Sequence, residues 1–451
     1  MKALEQQILE FKALSETACN ALGNGESLIL SLSSEHQHYA RFNRGLTRQI
    51  IEVEQQKIRL EFMAHGRRLL FSTDLSSSIE LDRALLLNRI ERARAECRSL
   101  PEDPHGILPE DQGYSEERHE TGSLPEIGDV CRMIFDLSHG QDLAGLYAGG
   151  DQLRMTANSE KTFHAFSNRS FFLDYSLYTQ NAEGEPKALK ALYAGKLFSE
   201  GSLTQHLSKS FEKLPPLRQR PRKISPGKYR VYLAPAAVAS LIEMFSWDAV
   251  SLGALRRGES AFSRLESGAA RLSPLFSLAE DFSLGLHPRF NSDGKLAPYR
   301  LPVIEEGQLR NLLVHDRSAV EYGIPSNGAS AAERLRSPRM AQGSLHDDDI
   351  LGALGNGLYI SNLHYLNWSD RQGGRITGMT RFACFWVENG ALAAPIEDLR
   401  FDESLYHIFG QGLEAVGANP TIRLETQTYH ERQLGGMEVS GCLVDGFHFT
   451  L

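Results

Sequence analysis

The sequence predicts an α+β fold in two parts: an N-terminal α+β domain over residues 1–215 and a β-rich C-terminal domain over 225–451. Three observations predict it. Helix-period and strand-period apolar patterns alternate through the first half. Short apolar runs punctuated by glycine turns dominate the second. Two breaks in composition separate the patterned regions, and 451 residues exceed what one ordinary hydrophobic core supports.

Each element follows from its pattern. Residues 3–22 place Leu4, Ile8, Phe11 and Leu14 on one helical face, and Gly23-Asn24-Gly25 stops the helix. Strands are expected over about 27–39, 46–54 and 57–63. In the last, Ile58, Leu60 and Phe62 alternate with Arg59 and Glu61. A second helix from Ile79 to Leu100 carries Leu81, Leu85, Leu86 and Ile90. The stretch 101–122, PEDPHGILPEDQGYSEERHETG, is acidic and proline-rich and reads as an exposed linker. Phe171 to Tyr178 is strand-like, and 198–213 helical. The basic run 215–228, with Arg218, Arg220, Arg222, Lys223 and Lys228, reads as a solvated inter-domain linker, since no aromatic residue is interleaved for stacking on bases.

Beyond it, Val231 and Leu233 form a strand that runs into a helix from Pro235, with Val238, Leu241, Ile242 and Phe245 at three- and four-residue steps. The turns Asp293-Gly294, Glu306-Gly307, Asn327-Gly328 and Asn389-Gly390 punctuate the rest. One helix is expected among them, capped by Ser344, with Asp347, Asp348 and Asp349 in its first turn and Gly355 closing it.

Composition excludes several function classes. A formal net charge of −9 argues against a dedicated nucleic-acid binder, and no apolar run is long enough to span a membrane. The N-terminal stretch reads as an amphipathic helix, neither signal peptide nor membrane anchor. Five scattered cysteines without a Cys-x-x-Cys pair read as reduced thiols, so a cytoplasmic location is expected. No nucleophile elbow, phosphate loop or dinucleotide fingerprint is present. His119-Glu120 and His430-Glu431 lack a second histidine at helical spacing. His36 and His38 share a strand face and would hold a metal only with a third ligand, a half-exposed strand face being the simpler reading. Helix-start electrostatics accounts for His346-Asp347-Asp348-Asp349, and a buried structural thiol for Cys384.

Several stretches resemble the TldD/PmbA family, the so-called modulators of gyrase. They are Asp103-Pro104 to Pro109, Ser283-Leu284-Gly285 to Glu306-Gly307, and Leu354-Gly355-Asn356-Gly357-Leu358-Tyr359-Ile360. The strongest is Thr377-Gly378 followed by Phe385-Trp386-Val387-Glu388-Asn389-Gly390, which resembles a hairpin of the PmbA (TldE) branch. His364 to Trp368 and Met379-Thr380-Arg381 depart from the family pattern. One branch of the family carries a zinc motif, His-Glu-x-x-x-His, on the helix that begins here at Pro235. Aligned by eye, Pro235 and Ala236 stand at its His-Glu pair and Ser240 at its second His. None of the three supplies an imidazole, thiolate or carboxylate.

The resemblance therefore implies a two-domain PmbA/TldD-like fold and a catalytically inert, PmbA/TldE-like subunit of a two-component zinc metallopeptidase acting on unfolded proteins and precursor peptides. The chain itself would hold no catalytic metal. Zinc is expected in a TldD-like partner, which would form a heterodimer or higher assembly with it. An unfolded peptide would enter as an added strand. His287, Arg375, Thr377 and Gly378 are the candidate peptide-contacting residues, with surface turn chemistry as the alternative for each. Two rival readings stay open: a homodimeric peptide-binding or gyrase-modulating protein without hydrolytic activity, and a stand-alone hydrolase built around Cys384 or the His36/His38 face. Neither membrane contact nor direct nucleic-acid contact is expected.

Overall fold

The computed structural model describes residues 4–76 and 78–450. Helix α1 (Leu4–Asn20) leads into three antiparallel strands, β1 (Glu26–Asn43), β2 (Leu46–Ala64) and β3 (Arg67–Asp74), and then α2 (Ile79–Cys97). There follow β4 (Glu116–Glu120), α3 (Ile127–Leu137), β5 (Asp142–Asn158), β6 (Phe163–Gln180), β7 (Pro186–Gly195), α4 (Glu200–Phe211) and the short α5 (Leu214–Leu217). The strands form one sheet in the order β3-β2-β1-β5-β6-β4. The long β6 also pairs with β7 along its second half.

The two faces of this sheet do different work, as the period-2 alternation of side chains requires. On β1, Leu28, Leu30 and Leu32 pack under α1 and α2, while Ala40 and Phe42 belong to a second apolar cluster with Val130 and Ile134 of α3. The opposite face is polar and docks the C-terminal half. Ser31 donates to the Ser292 carbonyl at 3.1 Å, and Gln55 donates to the His430 carbonyl at 2.7 Å.

The C-terminal half opens with β8 (Gly227–Leu233) and α6 (Pro235–Glu243), followed by short helices α7 (Leu252–Arg256) and α8 (Ser263–Glu266). Strands β9 (Leu278–Asp281), β10 (Arg300–Glu305) and β11 (Gln308–Leu309) precede α9 (Asp316–Tyr322), β12 (Pro338–Met340) and α10 (Ile350–Leu354). Ten strands complete the chain: β13 (Gly357–Ile360), β14 (Asn362–Asp370), β15 (Arg375–Arg381), β16 (Phe385–Glu388), β17 (Ala391–Pro395), β18 (Arg400–Ser404), β19 (Leu413–Val416), β20 (Thr421–Leu424), β21 (Gly436–Val439) and β22 (Cys442–Phe449). They form a six-stranded sheet, β11-β10-β9-β12-β21-β20, and a nine-stranded one, β14-β15-β18-β22-β8-β13-β16-β17 with β19 on β22. One core unites them, with residues of both sheets packed around α6 and the rings of Phe245, Phe262, Phe276 and Phe409.

The structure is mixed α+β and strand-rich, and it differs from the sequence expectations in four places. Residues 46–64 form one strand instead of two. Gln55 and Gln56 stay in register with β1, opposite Glu35 and Ser34, where both faces of the sheet are polar and need no apolar residue. The acidic stretch 101–122 is no free linker, since β4 lies within it and its carboxylates are tied down. Asp103 meets Arg317 at 2.7 Å, Glu110 meets Lys295 at 2.9 Å, and Glu116 pairs with Arg289. Ion pairs replace the apolar burial that this composition lacks. The side chains of the basic run are exposed, as expected, but the run is anchored at Arg222, which lies 4.2 Å over the Trp386 ring and whose backbone N–H donates to the Pro395 carbonyl. Finally, the helix expected from Ser344 begins as a 3₁₀ turn at Asp347–Asp349 and continues as α10, with His346 at the cap position. Gly355 closes it at φ 65°, as expected, a backbone conformation that glycine adopts without a Cβ penalty.

Candidate functional site

Helix α6 is placed by the central strand β8, which pairs in parallel with β13 and antiparallel with β22. Ala234 is extended, φ −67° and ψ 161°, and Pro235 occupies the first helical position, where its missing N–H costs nothing. Ala237, Val238, Ala239, Leu241 and Ile242 are buried against the core. Pro235, Ala236 and Ser240 are only half-buried, and Ala236, Ser240 and Glu243 recur at steps of four and three along one outward stripe.

That stripe is the place to test for a metal. At the three motif positions it offers a proline ring, a methyl group and a hydroxyl, and the Ser240 hydroxyl donates to the Ala236 carbonyl at 3.2 Å. Zinc requires imidazole, thiolate or carboxylate donors at such positions, so the residues present do not fit it. The remaining carboxylate of the stripe, Glu243, was not singled out by sequence reasoning. Glu243 is exposed at the end of the stripe, and desolvation together with the neighbouring charge of Glu425 shifts its carboxyl upward, with Arg423 opposing them. Nothing in the local sequence signals this, because Glu425 and Arg423 arrive from a distant segment. Beside α6 runs β14, the terminal strand of the nine-stranded sheet. Register shifts interrupt its pairing with β15, and Tyr365 is 74% exposed.

The four candidate peptide-contacting residues do not come together. Arg375, Thr377 and Gly378 lie on β15, inside the sheet between β14 and β18. Arg375 pairs with Asp402 at 2.6 Å, and the Thr377 hydroxyl donates to the Phe401 carbonyl at 3.1 Å. A Cβ on Gly378 would stand 2.8 Å from the Phe401 ring. Arg375 also lines a cleft with Glu403, Tyr406, His407 and His448. His287 lines a different cleft, between the two halves of the chain, with Lys57, Arg59, Arg154 and Arg336. Burial and the nearby Arg336 hold its imidazole down at about 3, and its Nδ1–H donates to the Pro288 carbonyl at 2.7 Å. His287 is therefore neutral at physiological pH.

The other candidates resolve individually. His119 lies on β4 beside Ser167, and Glu120 is bound by Lys196 and Arg118 at 2.5 Å each. Cys384 is buried, and burial pushes its thiol up, which suits a structural residue better than a nucleophile. Asp293 and His315 form a buried pair at 2.8 Å with Arg68 beside them. His36 and His38 do share a face, their ring centroids 5.4 Å apart, with Glu52 within reach.

A family model described as the PmbA/TldA metallopeptidase C-terminal domain matches residues 226–450. The chain belongs to the TldD/PmbA family. The fold of TldD/PmbA relatives extends over the whole chain. TldE from Thermococcus kodakarensis aligns with a TM-score of 0.77 at 13% identity, covering 98% of this chain and 100% of its own. A candidate modulator of a DNA gyrase from Thermotoga maritima MSB8 aligns at 0.73 and 15% identity, covering 98% and 99%. One from Bacteroides thetaiotaomicron VPI-5482 aligns at 0.74 and 16% identity over the full length of both chains. At these identities the likeness establishes the fold. No curated protein sequence matches the chain significantly. Among the described residues, no helix is long and apolar enough to cross a membrane.

Proposed function

We propose that this chain is the non-catalytic, PmbA/TldE-like subunit of a two-component zinc metallopeptidase that degrades or processes unfolded proteins and precursor peptides in the cytoplasm. One observation supports the reading: α6, the helix on which the resemblance puts the family's zinc motif, carries Pro235, Ala236 and Ser240 at the motif positions, and none of them offers a metal donor. A TldD-like partner would supply the zinc, which polarises the scissile carbonyl and activates water when bound there. This chain's contribution is shape. The smooth stripe of α6 and the edge of β14 would wall the groove, and an unpaired strand edge accepts an extended peptide through backbone hydrogen bonds with little demand on sequence.

The alternative is a homodimeric peptide-binding or gyrase-modulating protein without hydrolytic activity, in line with the descriptions of the Thermotoga and Bacteroides relatives. Co-expression with the His-Glu-x-x-x-His homologue of the same genome separates the two. A stable complex with one partner copy per chain supports the subunit reading. A homodimer that ignores the homologue supports the alternative.

A further inference from the structure

The helix-bearing face of the N-terminal sheet is not covered evenly. Along β1 its residues run Leu28, Leu30, Leu32, Ser34, His36, His38, Ala40 and Phe42. The first three lie beneath α1 and α2 and the last two in the cluster with α3, so the histidines fall where the helical cover lapses. The register of β1 and β2 sets His36 opposite Glu54 and His38 opposite Glu52, which places both carboxylates on the same face. His36 Nε2 lies 2.6 Å from Glu52 Oε1, and one ligand atom from each of His36, His38 and Glu52 falls within 4.8 Å of the other two.

We propose that His36, His38 and Glu52 form a binding site for a divalent first-row transition metal, with zinc as the fitting ion. Two imidazoles and a carboxylate are a zinc-type donor set, and three protein ligands leave a coordination position for water. Bonds of about 2.0–2.2 Å to a tetrahedral ion place ligand atoms about 3.3 Å apart, so the groups need only small adjustments from the separations seen. Glu52 can make them, because its side chain is 61% exposed. Among the described residues, no lysine or arginine forms an ion pair with Glu52 or Glu54. The second cluster able to hold an ion, Asp293, His315 and Asp316, differs here: Arg68 already faces Asp293 at 3.4 Å and occupies the place of a cation. A metal at His36 and His38 would clamp β1 to β2 at the uncovered part of the face. The site lies on a different sheet from α6 and stands or falls independently of the proposed role of that helix.

The test is to strip the full chain with a chelator and titrate it near neutral pH with Co²⁺, followed by its visible absorption, and with Zn²⁺, followed by calorimetry. The expected result is one equivalent bound with a zinc-dependent rise in Tm. His38→Ala and the isosteric Glu52→Gln each weaken binding by about tenfold or more, with metal-free Tm unchanged because both side chains are partly solvent-exposed, while Asp316→Ala has no effect. Absence of binding, binding that survives both substitutions, or loss on Asp316→Ala alone overturns the proposal. The first of these outcomes would reduce the cluster to an ordinary His36–Glu52 hydrogen bond.

Discussion

The guanidinium of Arg432 reaches the side-chain amide of Gln37 at 3.0 Å, joining residues 395 positions apart inside the docking face of the N-terminal sheet. Arg432 is 1% exposed and also donates to the carbonyl and hydroxyl of Ser170, while its backbone is held by Glu35 and Gln152. The Phe172 ring lies 5.2 Å below the guanidinium. A loop of the C-terminal half thus plugs into the N-terminal sheet through one buried cation.

Truncating that plug should be costly. Arg432→Ala removes the donor to Gln37 Oε1 and to the Ser170 hydroxyl and carbonyl, and opens a cavity. It is expected to destabilise the protein by about 3–5 kcal/mol, the range for breaking a buried polar pair, with urea unfolding as the measurement. Loss of less than about 1 kcal/mol would mean that the loop is not fastened by this residue.

Acid should weaken the protein well above the range of ordinary carboxylates. Burial holds His164 and His206 down at about 4, below the ordinary 6.5. Their folded pKa values are depressed, so the unfolded chain takes up protons first as pH falls. Stability is full above pH 6.5 and declines from there down to about 4. His164, fully buried and stacked 5.5 Å from Phe290, sets an upper limit of roughly 3 kcal/mol for one such group. His164→Gln should flatten the decline of Tm between those pH values, even if it lowers Tm overall.

Gly378 was expected to touch peptide, but its position makes it a packing residue as well. Gly378→Ala is predicted to destabilise by about 1–3 kcal/mol through contact with the Phe401 ring, read as a lower Tm. An unchanged Tm with altered peptide binding would return the residue to a surface role.

The outward stripe of α6 makes the opposite prediction. Ser240→Ala removes only a back-bond to Ala236 and should shift stability by less than about 0.5 kcal/mol. Ser240→Trp should leave Tm nearly unchanged, yet block the groove and abolish cleavage by the complex with the zinc-bearing homologue.

Much of this architecture is legible in the sequence because it is local. The alternation of Ile58, Leu60 and Phe62, the proline entry to α6 and the glycine stop at Gly355 each carry their signal within a few residues. What escaped is non-local. The partnership of Arg432 with Gln37 spans most of the chain, as does the ion pairing that fastens the acidic stretch near Asp103 and Glu116. The third ligand of the His36/His38 face was hidden for the same reason, since Glu52 is assigned by cross-strand register. The separation of His287 from Arg375 into two clefts likewise depends on how the three sheets stack, which no periodicity encodes.

The most direct test of the central claim is cleavage of an unfolded peptide by three samples: this chain alone, its zinc-bearing homologue alone and the two together, each with and without chelator. His38→Ala is carried in parallel so that metal on the sheet face is not mistaken for a catalytic ion. The account predicts chelator-sensitive cleavage by the pair and none by this chain alone. Peptide cleavage by this chain alone, whether or not His38 is present, would contradict it and show that the stripe of Pro235, Ala236 and Ser240 is not the measure of its chemistry.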